Sequence, residues 1–330
     1  MAYKKTQFIK DIKIGDKIDT YLAVKEKTLQ NFSSPNRAGE QFLRVLLADA
    51  SGTISGVVWD DAQSVNKLIN NDDIIYIKGE VSNYKGPQVV IKNITKVDRS
   101  KIDSAYFQSV TKKNRQEMLE KIKTYIHNYI KTPYLNRMML DFFDDHEFCR
   151  LYTKAPGGRL IHHGYVGGLL EHSLEVVEIC LKITDLYPGG IDQDLLISGA
   201  ILHDIGKIKE YDLNSISFQM TNQGRLLGHI TLGREMVIER ASKFDSFPEE
   251  MLLELEHMII SHHGKKEWGS PEVPKTMNAF ALYYADLLSA RLNQFEGLVN
   301  KNINSNNNWS DWDRFLERNI YIPDYLREDI

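Results

Sequence analysis

DQDLLISGAILHDIGKIKEY, residues 192–211, runs eight consecutive small or apolar residues straight into the adjacent pair His203 and Asp204. A helix that is apolar on every side is buried, so both polar side chains start from an interior position and need partners. Neighbouring helical positions lie about 100° apart, which lets the two reach one ion from adjoining faces. Asp286, in AFALYYADLLSA (279–290), poses the same problem. A buried carboxylate without a partner is strongly destabilising, and either a bound cation or a neighbour such as Arg291 can offset that cost.

Outward from this stretch, metal-competent side chains recur in the order His172, His203–Asp204, His229, His262 or His263, and Asp286. Of the adjacent histidines His262 is favoured, although both can bind. Mixed imidazole and carboxylate donors suit Mn, Fe or Zn better than an all-oxygen Mg site. A pair of such ions lowers the pKa of a bound water and neutralises phosphate oxygens during in-line attack. Lys207, one helical turn after His203, either places its ammonium near a substrate phosphate or sits solvated at a helix end. His162 and His163 follow APGGRLI in a Gly-rich loop, where they touch substrate phosphate or cap the turn. His127, His146 and His257 fall outside the ordered set and read as surface or packing residues.

The N-terminal part has a different rhythm. From Lys17 to Val97, β-branched runs are broken by Ser51-Gly52 and by Asn83-Tyr84-Lys85-Gly86-Pro87, which predicts five short strands. DDAQSVNKLIN, placed between the second and third strands, reads as a short helix. A Greek-key barrel with one such helix has OB-fold architecture. Phe42, Trp59, Tyr76 and Tyr84, interleaved with Arg44, Lys78 and Lys85, are candidates to stack and grip single-stranded bases, with core packing as the alternative for each aromatic. Tyr84 and Lys85 are the better candidates because a hairpin turn should expose them.

After Arg99 the apolar spacing turns helical: a first helix behind Thr111 as N-cap, ended by Pro133, then stretches at 135–152, 166–186, 192–210, 229–242, 249–263 and 276–299. SISFQMTNQGRLLG, 215–228, is expected to form a hairpin or mobile loop walling the site beside His229. The fold class expected is α+β multidomain, an N-terminal OB-fold β-barrel followed by an all-α body. The expected boundaries are 1–100 for the barrel, 101–150 for a helical connector, 151–300 for the metal domain and 301–330 for a C-terminal tail, entered through the Asn-rich KNINSNNNW.

At 330 residues the chain is long enough for two cores. Residues 1–100 hold 15 Lys and Arg against 12 Asp and Glu, and the remainder 26 against 33, so a +3 part precedes a −7 part. That asymmetry fits a nucleic-acid grip beside a cation-loaded domain. No apolar run approaches the roughly 20 residues of a membrane span. The start, MAYKKTQFIKDIKIGDK, lacks the apolar core of a signal peptide, and two cysteines, Cys149 and Cys180, point to a reducing cytosol without disulfides.

Over residues 150–295 the ordered set resembles the HD phosphohydrolase superfamily, whose ligands run His, His-Asp, Asp. His172 in GGLLEHSLEV matches the first, His203–Asp204 in ILHDIGK the pair, and Asp286 the last. His229 in LLGHITLG and His262–His263 in IISHHGKKEWGSP match the extra histidines of its two-metal branch, which implies two ions bridged by Asp204. QFLRVLLADASGTISGVVWD resembles OB modules of the tRNA-anticodon type. The two together resemble the YhaM-type 3′-to-5′ exoribonucleases. That resemblance implies a cytoplasmic, Mn-dependent homo-oligomer trimming single-stranded RNA, with relatives that also act on single-stranded DNA or are described as replication-associated cmp-binding factors. The Gly-Tyr-Pro signature of cyclic di-GMP phosphodiesterases is absent after His263, and no GxxxxGK[ST] loop is present. The alternatives are an HD nucleotide phosphohydrolase with a regulatory OB domain and a non-catalytic single-strand DNA-binding accessory.

Overall fold

The alternating runs become five strands: β1 (Lys17–Asn31), β2 (Gln41–Asp49), β3 (Gly52–Val58), β4 (Ile74–Asn83) and β5 (Pro87–Lys96). The computed structural model describes residues 3–327 apart from 33, 38, 85, 159–162, 217 and 306. The strands close in the order β1-β2-β3-β5-β4, antiparallel except for the β3/β5 pair, as an OB-fold barrel requires. Period-2 alternation turns Leu43, Val45 and Leu47 of β2 inward against Leu22, Val24 and Ile77, forming the barrel core. The short helix, α1 (Ala62–Leu68), follows β3 and does not lie between the second and third strands as the sequence predicts. The reason is local: Asp49 Oδ1 accepts from Ser51 N at 2.8 Å and folds 41–58 into one tight hairpin before the helix begins.

Asp49 also closes the barrel from below. Its side chain and that of Lys5 are fully buried, with Lys5 Nζ 3.0 Å from Asp49 Oδ2 and 2.7 Å from the Tyr21 carbonyl. Ile9 N donates to the same carboxylate at 2.9 Å. Removing one partner strands a buried charge, so Asp49→Ala should destabilise the barrel by about 3–5 kcal/mol, read from its transition in chemical unfolding. An unchanged midpoint would show that this pair carries no such stability.

By its contacts the chain divides into two units, Met1–Val110 with Asn214–Gln219, and Thr111–Leu213 with Met220–Ile330. Of the 215–228 segment expected to wall the site beside His229, the part up to Gln219 therefore belongs to the first unit, and the rest to the second. Ile216 packs with Ala23, Ile74, Ile102 and Phe107, and its N–H donates to Asp72 Oδ2 at 3.1 Å. From Asn222 the chain is already helical, interrupted at Gly228 by a left-handed φ of 71°.

The second unit is helical: α2 (Arg115–Tyr129), α3 (Pro133–Asp144), α4 (His146–Tyr152), α5 (Gly168–Leu186), α6 (Gln193–Leu202), α7 (Lys207–Glu210), α8 (Asn222–Ala241), α9 (Glu249–Ser261) and α10 (Met277–Asn302). Asn114, not Thr111, caps α2, because Asn114 Oδ1 takes the Gln116 and Glu117 amides while the Thr111 hydroxyl donates to Glu171 at 2.5 Å. The expected 135–152 helix splits where the Asp145 carboxylate caps α4. Among the described residues no helix is long and apolar enough to cross a membrane, and both cysteines are buried and free.

Candidate metal centre

Every residue of α6 from Leu195 to Leu202 is buried, so this helix runs through the interior and ends there, delivering His203 and Asp204 to a buried turn. Gly206 sets what meets them. A Cβ at Gly206 would lie 1.9 Å from the His229 carbonyl oxygen, so only glycine lets the turn approach α8 closely enough to bring His229 beside Asp204. His172 reaches the same point from α5, His262 and His263 from the end of α9, and Asp286 from α10.

These side chains form two groups around one carboxylate. His172, His203 and Asp204 make one, and His229, His262 and His263 the other, with donor atoms inside each group within 4.8 Å of one another. Asp204 faces both. Its Oδ2 lies 3.4 Å from His203 Nε2 and 3.7 Å from His172 Nε2, while Oδ1 lies 3.4 Å from His229 Nε2 and 3.5 Å from His262 Nε2. Asp286 Oδ1 stands 3.0 Å from His172 Nε2 and 4.0 Å from His203 Nε2. Arg291 bonds to Gln294 and to the Phe315 carbonyl, not to Asp286.

The hydrogen bonds behind the rings fix their tautomers. His203 Nδ1 donates to the Ala200 carbonyl at 2.9 Å, His262 Nδ1 to the Ile259 carbonyl at 2.6 Å, and His263 Nδ1 to the Trp268 carbonyl at 3.3 Å. His229 Nδ1 donates to Glu210 at 3.1 Å. Ser289 gives its hydroxyl proton to Glu175 at 2.9 Å, so it accepts from His172 Nδ1 at 3.0 Å. Each ring thus turns an Nε2 lone pair toward the two aspartates. His172 Nε2 and His203 Nε2 face each other at 3.2 Å, and among the described residues Asp204 Oδ1, His229 Nε2 and His262 Nε2 are buried without a hydrogen-bond partner. Lone pairs and carboxylates converging in a buried site repel one another unless a cation lies between them. The donor set fits divalent ions, with His172, His203, Asp204 and Asp286 able to hold one and Asp204, His229, His262 and His263 a second.

Electrostatics agree with that geometry. Burial pushes His172 down to about 4 and, helped by neighbouring imidazoles, His263 to about 3; burial also lowers His262. Burial depresses His203 too, but Asp204 and Asp286 together outweigh it and leave that ring above its ordinary value. Burial works against ionised Asp204, yet Lys207 and His203 hold it well below the carboxylate range; burial opposes ionised Asp286 too, but the surrounding His172, His203 and His262 rings together outweigh it and depress that carboxyl.

Lys207 is no solvated helix-end lysine. It is 6 % exposed at the start of α7, with Nζ 2.5 Å from Asp204 Oδ2 and bonded to the Gly157 carbonyl. The His163 ring is buried, with Nδ1 3.0 Å from the Tyr165 hydroxyl, Nε2 3.4 Å from Glu175 and its centroid 5.2 Å from that of His172. His162 lies outside the described residues. His257 accepts from Lys275 N, away from the cluster. A cavity of about 750 Å³ opens over Asp204, Lys207, His262 and Asp286, and its far side includes Arg314 and Arg318, a wall the sequence did not signal.

On the barrel, Phe42 and Trp59 stand together with Phe32, their ring centroids 5.0–5.7 Å apart, and the Arg37 guanidinium lies 3.6 Å from the Phe32 ring. Trp59 is 36 % exposed and Arg44 shares the Phe42 side of β2. Phe32 and Arg37 went unnoticed because they stand in the NFSSPNR loop, outside any strand pattern. Tyr84 is exposed at the β4–β5 turn, Lys85 lies outside the described residues, and Tyr76 and Lys78 are engaged with Asp19.

Residues 169–291 match the family model described as HD domain, and residues 24–97 match the OB-fold nucleic acid binding domain. The chain joins an OB-fold to an HD domain. An HD domain indicates a metal-dependent phosphohydrolase, and an OB-fold of this kind a nucleic-acid-binding module. Among solved structures, the second OB-fold domain of replication protein A from Methanococcus maripaludis is 22% identical, covering 30% of this chain and 97% of its own at a TM-score of 0.24. The mitochondrial single-stranded DNA binding protein Rim1 of S. cerevisiae is 15% identical over 26% of this chain and 96% of its own, TM-score 0.20.

Proposed function

We propose that this chain is a 3′-to-5′ exoribonuclease that hydrolyses single-stranded RNA to nucleoside monophosphates, with single-stranded DNA as a second candidate substrate. The reading rests on Asp204, a buried carboxylate with one oxygen toward each histidine group, the position a bridging ligand of two ions takes. Manganese, a cytoplasmic location and a homo-oligomer follow from the family resemblance. Divalent ions bound there would activate a water and neutralise the phosphate. The chain's own part is to hold that centre rigid through the Glu175–Ser289–His172 and Glu210–His229 bonds, and to present Lys207 Nζ at the cavity floor beside the phosphate.

Phe32, Phe42, Trp59, Arg37, Arg44 and Tyr84 form the proposed single-strand surface of the barrel, with Lys85 a candidate from the sequence alone. Stacking contributes about 1–3 kcal/mol per base, so Trp59→Ala and Phe32→Ala should each weaken RNA binding about tenfold by fluorescence anisotropy. Affinity should also fall as salt rises, through counterion release. Salt-independent binding would contradict a basic, stacking surface.

The function itself is tested by incubating the protein and Mn with matched RNA and DNA strands and with free nucleotides, then identifying products by chromatography. Nucleoside monophosphates released from RNA are expected. Turnover confined to free nucleotides would favour a nucleotide phosphohydrolase, and tight strand binding without turnover a binding accessory.

A further inference from the structure

The cavity over the HD cluster has a second wall that the HD match does not cover. α10 continues past the matched residues, and the chain then returns as a turn closed by paired backbone bonds between Asp313 and Arg318, at 3.0 and 3.3 Å. Asp313 Oδ1 caps that turn from inside, accepting from Phe315 N at 2.9 Å and Leu316 N at 2.8 Å. Two residues of α10 pin it: Gln294 Nε2 donates to Asp313 Oδ1 at 2.8 Å, and Arg291 Nη1 to the Phe315 carbonyl at 2.8 Å. Leu316 and Ile320 are buried beneath it. The turn is therefore a built element, and it sets Arg314 and Arg318 at its two shoulders, facing the cavity with Glu317 between them.

Neither arginine is paired with a carboxylate among the described residues. The Arg314 guanidinium lies 4.4 Å from the Phe315 ring centroid, and Arg318 uses Nε on the Leu316 carbonyl. Both side chains are exposed to solvent, and guanidinium groups without a counter-anion at the edge of a cavity are well suited to donate to a phosphate. Trp268 also lines the cavity, 44 % exposed, with Lys265 Nζ 4.6 Å from its ring centroid, an indole on which a base can stack with a cation at hand. A volume of about 750 Å³ is large enough for one or two nucleotides.

We infer that the 313–318 turn is the substrate wall of this site, with Arg314 and Arg318 holding the phosphates of the terminal nucleotides of a strand. This deepens the nuclease reading and rests on it, since it makes the site one for strand ends. Binding tests it independently of turnover. Adenosine 5′-monophosphate is titrated calorimetrically, with Mn present, into the full chain and into Arg314→Ala/Arg318→Ala. The double variant should bind about tenfold more weakly, and Arg314→Lys/Arg318→Lys should recover part of the loss. The KM for an oligoribonucleotide should rise about tenfold with kcat within about twofold. Unchanged nucleotide affinity in the alanine variant would overturn the inference whatever its activity. An arginine-dependent affinity in a protein that does not cleave RNA would support the wall and refute the nuclease.

Discussion

Asp204→Asn is expected to lower the rate of RNA hydrolysis by about a thousandfold or more, while leaving strand affinity within a few-fold of the parent. The substitution keeps the volume of the side chain and removes its charge. Asp204 is the only group among the described residues placed between both histidine groups, its two oxygens 3.4 Å from His203 Nε2 and from His229 Nε2. An amide offers one acceptor where the carboxylate offers two, so one side of the centre loses its anionic donor. The Lys207 ammonium, which now neutralises Asp204, would also face the site without a counter-charge. Initial rates with Mn, set beside anisotropy on the same strand, separate catalysis from grip. A variant within tenfold of the parent rate would remove Asp204 from the centre.

Divalent metal should stabilise the helical unit more than any single surface contact does. Without a cation, Asp204 Oδ1, His229 Nε2 and His262 Nε2 stay buried and unsatisfied. Binding relieves that, and ligand at about a hundredfold over its Kd adds about 2.7 kcal/mol per site. For a unit of this size that corresponds to a rise of about 5–10 °C in Tm. Scanning calorimetry of chelator-treated protein, before and after adding Mn, should show the shift in the helical transition and little in the barrel. His262→Ala should abolish about half of it. An identical Tm in both conditions would mean that protons, not metal, balance these carboxylates.

Much of this was legible in the sequence because burial makes polar residues conspicuous. Eight apolar or small residues before His203 announce an interior helix, and the YYAD context of Asp286 does the same. The barrel was readable through alternation, since Leu43, Val45 and Leu47 point inward and Arg44 outward. What escaped depends on tertiary partners. Thr111 looked like a helix cap, yet its hydroxyl is claimed by Glu171 from a helix some sixty residues away. Ile216 stands in a polar stretch and packs with Ala23, Ile74, Ile102 and Phe107. The C-terminal segment carries a linker-like Asn-rich lead, and only its side-chain closure by Asp313 and Gln294 makes it a wall.

The central claim is attack on the terminal phosphodiester of an RNA strand at the buried cluster, and a paired time course tests it most directly. The same single-stranded RNA is labelled at its 5′ end in one reaction and at its 3′ end in the other, with Mn in both. The account predicts a 5′-labelled ladder that shortens gradually, while the 3′ label appears at once as mononucleotide. Internal fragments carrying either label, a mononucleotide released first from the 5′ end, or intact RNA in both reactions would contradict it.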